Sequence, residues 1–288
     1  MSRIEVDGIG IEYELHGPKG APPIAITPGG RFSMESPGVR QLAEALAANG
    51  RRALIWDRPN CGLSDICLDA ENESELHART LIGLGRELGL GPMTLAGGSA
   101  GSRVTLIAAS RFPEAVSRVA IWWITGGPIG LMGLVGVYCG DGAAAAASSG
   151  MAAVLDTMAW AEQAERNPRA RAALLAMDRD EFIAKMQQWA TFYIPSPDTP
   201  VPGMTPADFE RLTMPVLIFR SGKSDVHHTR ATTDWTHSLI SHSVMVDPPW
   251  PDDEWNRRGE AAMAGVEGAG LFSGWPALAP ALVDFTGS

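Results

Sequence analysis

Cysteine is scarce in this 288-residue chain, and Cys61, Cys67 and Cys139 form an odd set without paired spacing, which excludes a disulfide framework and fits a reducing compartment. Basic residues are also short, 23 lysines and arginines against 33 aspartates and glutamates, and the formal net charge of −10 is spread along the chain rather than gathered in a tail. That balance argues against nucleic acid and anionic membrane surfaces as partners and for a small-molecule ligand, neutral or cationic. The opening Met1-Ser2-Arg3-Ile4-Glu5-Val6-Asp7 lacks the apolar core of a signal peptide, so a cytoplasmic chain is expected. No hydrophobic run is long and unbroken. Residues 119–140 carry no charge, but Gly126-Gly127-Pro128 interrupts them, and they read as a strand, a turn and the start of a buried helix. There is no internal repeat and no spaced His-x-x-x-His pair, so neither a metal nor another cofactor is expected. The oligomeric state is open, a homodimer included.

What the chain does contain is an alternation of strands and helices. Hydrophobic residues make up 45% and charged residues 19%, enough to bury a proper core, and one domain with an insertion is the economical division. A hairpin is predicted over residues 4–16 around Gly8-Ile9-Gly10, then a buried strand at 23–27 and a glycine-rich turn, Pro28-Gly29-Gly30-Arg31. Helical spacing at 41–50 precedes a strand at 52–57. A helix near 74–88, a strand at 93–96, a helix to Ser110 and a strand at 116–124 follow. This order predicts an α/β fold, a mostly parallel central sheet with helices on both faces, whose ligands gather at the carboxyl ends of the strands.

Between residues 127 and 213 the alternation stops. An alanine run at 143–147 and amphipathic spacing through Leu155, Met158 and Ala159 to Phe182, Met186 and Trp189 lead to a proline-rich hinge at 195–202. The segment reads as a helical cap inserted into a core made of residues 1–126 and 214–288. The sheet resumes at 214–220, with a helix near 232–241, a strand at 243–246 and a closing helix at 276–285.

The strongest local signal is Leu95-Ala96-Gly97-Gly98-Ser99-Ala100-Gly101-Ser102, an apolar strand that enters a Gly-x-Ser-x-Gly cluster and then a helix-like stretch. A serine on a sharp strand-to-helix turn is thrust out of the backbone with its hydroxyl at a helix N-terminus. Ser99 is therefore the candidate nucleophile, against the plainer alternative of a helix-capping serine.

Gly97-Gly98-Ser99-Ala100-Gly101 resembles the nucleophile elbow of the α/β-hydrolase superfamily, and Asp57-Arg58-Pro59-Asn60-Cys61-Gly62-Leu63-Ser64-Asp65 resembles that family's turn after the fourth strand. The likeness covers nearly the whole chain except the cap. The Gly-Gly-Ser-x-Gly-Ser form and the neighbouring Cys-Gly-x-Ser are most similar to the proline iminopeptidase and carbon-carbon bond hydrolase branches. The resemblance implies an α/β-hydrolase fold, with oxyanion donors on the backbone of Ala100 and Gly30, although the family's usual His-Gly is Pro28-Gly29 here. It also implies an orienting carboxylate at Asp225, which ends Arg220-Ser221-Gly222-Lys223-Ser224-Asp225; an N-cap a few residues before Thr229 is the alternative reading of that residue.

The family takes its base from a Gly-His segment after the final strand, yet no histidine follows His242 and the equivalent stretch is residues 246–255. His16, His77, His237 and His242 fall at the wrong edge of the sheet or on outer helices and read as surface or packing residues. His227 and His228 follow Asp225 by two and three residues on a loop that enters from the carboxyl edge. The expectation is that His228 is the base to Ser99, its other nitrogen held by Asp225 or by the Asp252-Asp253-Glu254 group. Arg31, His227, Trp250 and Glu254 are the candidate substrate contacts, Arg31 for a carboxylate and Trp250 because it lies where the base is missing.

The expected activity is cofactor-independent serine hydrolysis of an ester, lactone or activated carbon-carbon bond in a small, largely apolar substrate through an acyl-enzyme. A serine rather than an aspartate at the elbow argues against epoxide hydrolase and dehalogenase chemistry. The alternative takes the missing histidine at face value and makes the chain a ligand-binding protein or a non-hydrolytic lyase.

Overall fold

The computed structural model describes residues 1–287. Its eight strands are β1 (Ser2–Val6), β2 (Ile9–His16), β3 (Pro23–Thr27), β4 (Arg52–Trp56), β5 (Met93–Ser99), β6 (Val116–Ile124), β7 (Val216–Phe219) and β8 (Val244–Val246). They form one sheet in the order β1-β2-β4-β3-β5-β6-β7-β8. The opening hairpin is antiparallel, as is β2 on β4, and every other pairing is parallel.

Parallel strands covered on both faces read as continuous apolar runs. Ile24-Ala25-Ile26, Leu95-Ala96 and Val119-Ala120-Ile121 are buried for that reason. The covering helices from the first half are α1 (Val39–Ala48), α2 (Glu73–Glu87) and α3 (Ala100–Arg111). Leu76, Leu81 and Leu84 of α2 and Val104 and Ile107 of α3 meet Leu95, Val119 and Ile121 on one face. On the other, Val39, Leu42 and Leu46 of α1 meet Ile24, Ile26 and Phe219. The Asn72 side chain accepts the Glu75 N–H at 2.9 Å and so starts α2 one residue before the expected position.

Between β6 and β7 run α4 (Pro128–Val135), α5 (Asp141–Ser149), α6 (Met151–Val154), α7 (Ala161–Arg166), α8 (Pro168–Ala176), α9 (Arg179–Thr191) and α10 (Pro206–Glu210). In packing, the 127–213 segment divides. Residues from Leu131 to Tyr193 share an apolar cluster of their own, whereas Val201, Met204, Phe209 and Leu212 join the cluster under the sheet. The uncharged 119–140 stretch is strand β6, a turn at Gly126-Gly127, and α4 opening on Pro128. The helix is not buried as expected, because Ile129 and Met132 face outward at 60% and 64% exposure. Pro128–Ser149 has the length and apolar composition of a membrane-crossing helix, and the inner face of that segment lines a cavity over β5.

After β7 come α11 (Arg230–Leu239), α12 (Glu254–Met263) and α13 (Ala279–Gly287). Helix α12 has little apolar periodicity and escapes a reading by hydrophobic pattern. Charge pairs one turn apart, Asp253 with Arg257 and Glu254 with Arg258, support it instead.

Candidate active site

Ser99 ends β5 and the next residue begins α3. Its φ of 56° and ψ of −123° lie in a region that side-chain-bearing residues adopt only when the surroundings over-determine it. Those surroundings are close backbone approaches. A Cβ on Gly101 would collide with the Thr27 carbonyl oxygen, and one on Gly98 with the Trp122 indole nitrogen. The pairing of β5 with β6 slips between Gly98 and Ser99, which lifts the serine from the ladder.

His228 Nε2 lies 2.8 Å from Ser99 Oγ, and His228 Nδ1 lies 2.9 Å from Asp225 Oδ2. The other Asp225 oxygen accepts the backbone N–H of His227 at 2.9 Å and of His228 at 2.8 Å. Asp225 and His228 are both buried. Burial alone would raise the Asp225 pKa, but the bonds from the imidazole and the two backbone N–H groups outweigh it and hold the carboxyl below its ordinary value. An ionised carboxylate at Nδ1 keeps that nitrogen protonated, which leaves the Nε2 lone pair to accept the seryl O–H. A single parallel bridge from His228 to Gly126, just past β6, pins the loop. Two indoles confine the ring: Trp255 edge-on at 4.4 Å between centroids, and Trp123 nearly parallel at 6.1 Å.

The structure thus brings Ser99, His228 and Asp225 together and leaves out the acidic group on the last loop. Asp252 is bound to Arg230, Asp253 to Arg257 and Glu254 to Arg258. Glu254 and Trp250, expected to contact substrate, do not line the cavity over Ser99. The chain there lies over the end of β7, with the Asp252 carbonyl against Gly222, so Trp250 packs on Trp123 at 5.2 Å and stays behind the wall. Trp255, in the first turn of α12, takes the inward place. Trp255 lies in a helix with little apolar periodicity, so no hydrophobic pattern marks it.

Arg31 lines the cavity with Nε and Nη2 engaged, while its buried Nη1 has no hydrogen-bond partner. Nε donates to Glu73 at 3.0 Å, Nη2 donates to the Tyr138 carbonyl at 3.3 Å, and the group stacks 3.9 Å from the Trp160 ring centre. Burial would push the Glu73 carboxyl up, but attraction to Arg31 outweighs it and holds the group below its usual range. Arg31 therefore ties the β3–α1 loop to the inserted helices through Nε and Nη2 and keeps Nη1 unpaired at the cavity. Gly29 meets the serine, since a Cβ there would stand 2.7 Å from Ser99 Cβ, and Gly30 turns the chain at φ 49° in the cavity wall.

The turn after β4 braces that loop. Arg58 Nη2 donates to the carbonyls of Gly29 and Phe32 at 3.1 Å each, and Asp57 accepts the N–H groups of Met34 at 2.7 Å and Leu63 at 2.8 Å. Desolvation raises the Asp57 carboxyl to about 6. His77 is buried, donates to the Pro59 carbonyl at 2.9 Å and is pushed down to about 3 by burial. It is a packing residue.

The cavity over Ser99 holds about 340 Å³, the size of a small-molecule site. The sheet-bearing segments supply Gly30, Phe32, His227, His228, Trp255 and Phe272 to its wall, and the inserted helical segment supplies Leu134, Val137, Tyr138, Met158 and Gln163. A larger depression of about 570 Å³ beside Arg79, Arg86 and Glu114 has no serine, cysteine or histidine in its wall. Among the described residues, no three His, Cys, Asp or Glu side chains stand together as a metal site.

With this geometry in hand, likeness to solved structures decides the architecture. The enol-lactonase from Burkholderia xenovorans aligns over 93% of this chain and 99% of its own with a TM-score of 0.57 at 20% identity. An esterase from Rhodococcus sp. aligns over 99% and 98% with a TM-score of 0.60 at 19% identity. This chain has the α/β-hydrolase fold. Residues 22–122 match the alpha/beta hydrolase fold family by sequence. By sequence, a 2-hydroxy-6-oxononadienedioate/2-hydroxy-6-oxononatrienedioate hydrolase from Burkholderia vietnamiensis is 35% identical over 86 residues, which span 30% of each chain.

Proposed function

We propose that the protein is a cofactor-independent serine hydrolase that cleaves an ester, lactone or activated carbon-carbon bond of a small, largely apolar molecule. The observation that carries this reading is the unbroken relay of 2.9 Å and 2.8 Å from Asp225 through His228 to Ser99, in a mostly apolar cavity. Ser99 Oγ attacks the substrate carbonyl as its proton passes to His228 Nε2, and the backbone N–H groups of Ala100 and Gly30 hold the oxyanion. Collapse of the tetrahedral intermediate breaks the scissile bond, and the imidazolium returns its proton to the leaving alkoxide or carbanion. Water then gives its proton to His228, attacks the acyl-enzyme and releases the acid. The lactonase, esterase and carbon-carbon hydrolase likenesses support this range of substrates. The imidazole nitrogen 2.8 Å from the seryl oxygen supports this reading over the alternative of a ligand-binding protein or a non-hydrolytic lyase.

The test is labelling with a fluorophosphonate probe together with turnover of short-chain aryl esters and lactones. Wild type is expected to label rapidly, and both Ser99→Ala and His228→Ala to lose labelling and at least about 10⁴-fold in kcat. Turnover unchanged in His228→Ala would remove that residue from the mechanism, and unchanged in Ser99→Ala would remove the hydrolase reading.

A further inference from the structure

Tyr138, from the inserted helices, brings its hydroxyl to Gly30, one of the two backbone groups assigned above to the oxyanion. Its hydroxyl lies 2.8 Å from the point a Cβ on Gly30 would occupy, and a Cβ on the neighbouring Gly29 would stand 2.7 Å from Ser99 Cβ. Tyr138, Gly30 and Ser99 share the same cavity wall. Three further features act on this side chain. Residues Gly136–Gly140, between α4 and α5, form a π-helical turn. Such turns are uncommon and concentrate at functional sites, and one residue of register rotates a side chain by about 100° about the helix axis. Arg31, from the loop that carries Gly30, then grips Tyr138 twice, by the bond to its carbonyl at 3.3 Å and by a guanidinium 5.4 Å from its ring centre. Burial, finally, raises the phenol above its ordinary value, so it stays a neutral O–H donor at any working pH.

We propose that the Tyr138 hydroxyl is a third oxyanion donor, delivered by the cap to the two backbone donors of the core. The proposal rests on the serine-hydrolase reading above. Its chemistry is that of any preorganised donor: charge grows on the carbonyl oxygen as Ser99 adds, and a hydrogen bond aimed at that position strengthens in the transition state. It also makes the chemical step depend on a seated cap.

The experiment is Tyr138→Phe in the full chain, which keeps the ring and its contact with Arg31 and removes only the donor. The readouts are kcat and KM on an aryl ester, and the inhibition constant of a trifluoromethyl ketone that adds to the serine and forms a tetrahedral oxyanion. Expected are a fall in kcat on the order of 10²-fold, KM within twofold of wild type, and inhibition weakened by a factor similar to that in kcat. If kcat and inhibition both stay within twofold while Ser99→Ala abolishes them, the inference is overturned and the hydrolase reading stands. A rise in KM at constant kcat also overturns it, since the hydroxyl would then hold only the ground state. If Ser99→Ala behaves as wild type, the hydrolase reading itself fails and takes this inference with it.

Discussion

Asp225 spends one carboxylate oxygen on two backbone N–H groups of its own loop and the other on His228 Nδ1. The first pair of bonds shapes the loop and the last fixes the tautomer, so a small change should separate the two. Asp225→Asn keeps an oxygen for the backbone but presents an amide N–H to Nδ1, which favours the tautomer with a proton on Nε2. We expect kcat to fall about 10³- to 10⁴-fold with KM little changed and the fold intact, read by steady-state kinetics and circular dichroism. A loss of less than tenfold would mean that another group orients the imidazole. At this scale Ser99 was legible from its own turn, because a tight strand-to-helix bend demands glycines around it, and Asp225 only through the family resemblance, with a helix N-cap as its alternative. Trp255 was not, since a lone tryptophan in a charged segment carries no pattern.

The element that decides the site is the junction of β5, the serine turn and α3. The strained backbone at Ser99 is held in part because α3 packs against β3 with no side chain between Gly101 and the Thr27 carbonyl. Gly101→Ala forces helix and strand apart. It is expected to cost about 2–3 kcal/mol in urea unfolding and to slow fluorophosphonate labelling, because the seryl hydroxyl shifts with the helix. Unaltered stability and labelling would show that the junction can relax. Helices and strands of this core follow from hydrophobic period, and most of their bounds fell within two residues of those expected. Exposed α12 did not follow, because i, i+4 charge pairs rather than an apolar stripe support it.

For the molecule as a whole, two buried groups under the site pull stability in opposite directions as pH falls. His77 titrates at about 3 in the fold and near 6.5 when unfolded, so its stabilisation is present above pH 6.5 and drains away by up to about 1.4 kcal/mol per pH unit on the way down to 3. Asp57 titrates at about 6 in the fold against 3.8 unfolded, so its contribution is present below 3.8 and is lost as pH rises through 6. Between pH 6 and 4 the two slopes oppose each other. His77→Gln removes one of them, and the difference in unfolding free energy between variant and wild type should shift in favour of the variant by about 2–3 kcal/mol from pH 6 to pH 4. Urea titrations at the two pH values measure it, and a constant difference would refute the assignment.

By itself the chain determined an α/β sheet with an inserted helical segment and a serine at the strand-to-helix bend, because hydrophobic period and turn chemistry are local. It also marked Asp225 and His228 as neighbours three residues apart on one loop. Only the tertiary structure decided that Arg31 spends its charge on Glu73 and the cap, that Trp250 stands behind the wall while Trp255 forms it, and that Tyr138 reaches the Gly30 corner. Those outcomes depend on which distant partner a side chain meets, and burial of polar groups, which must be paired once water is excluded, is settled between segments far apart in sequence.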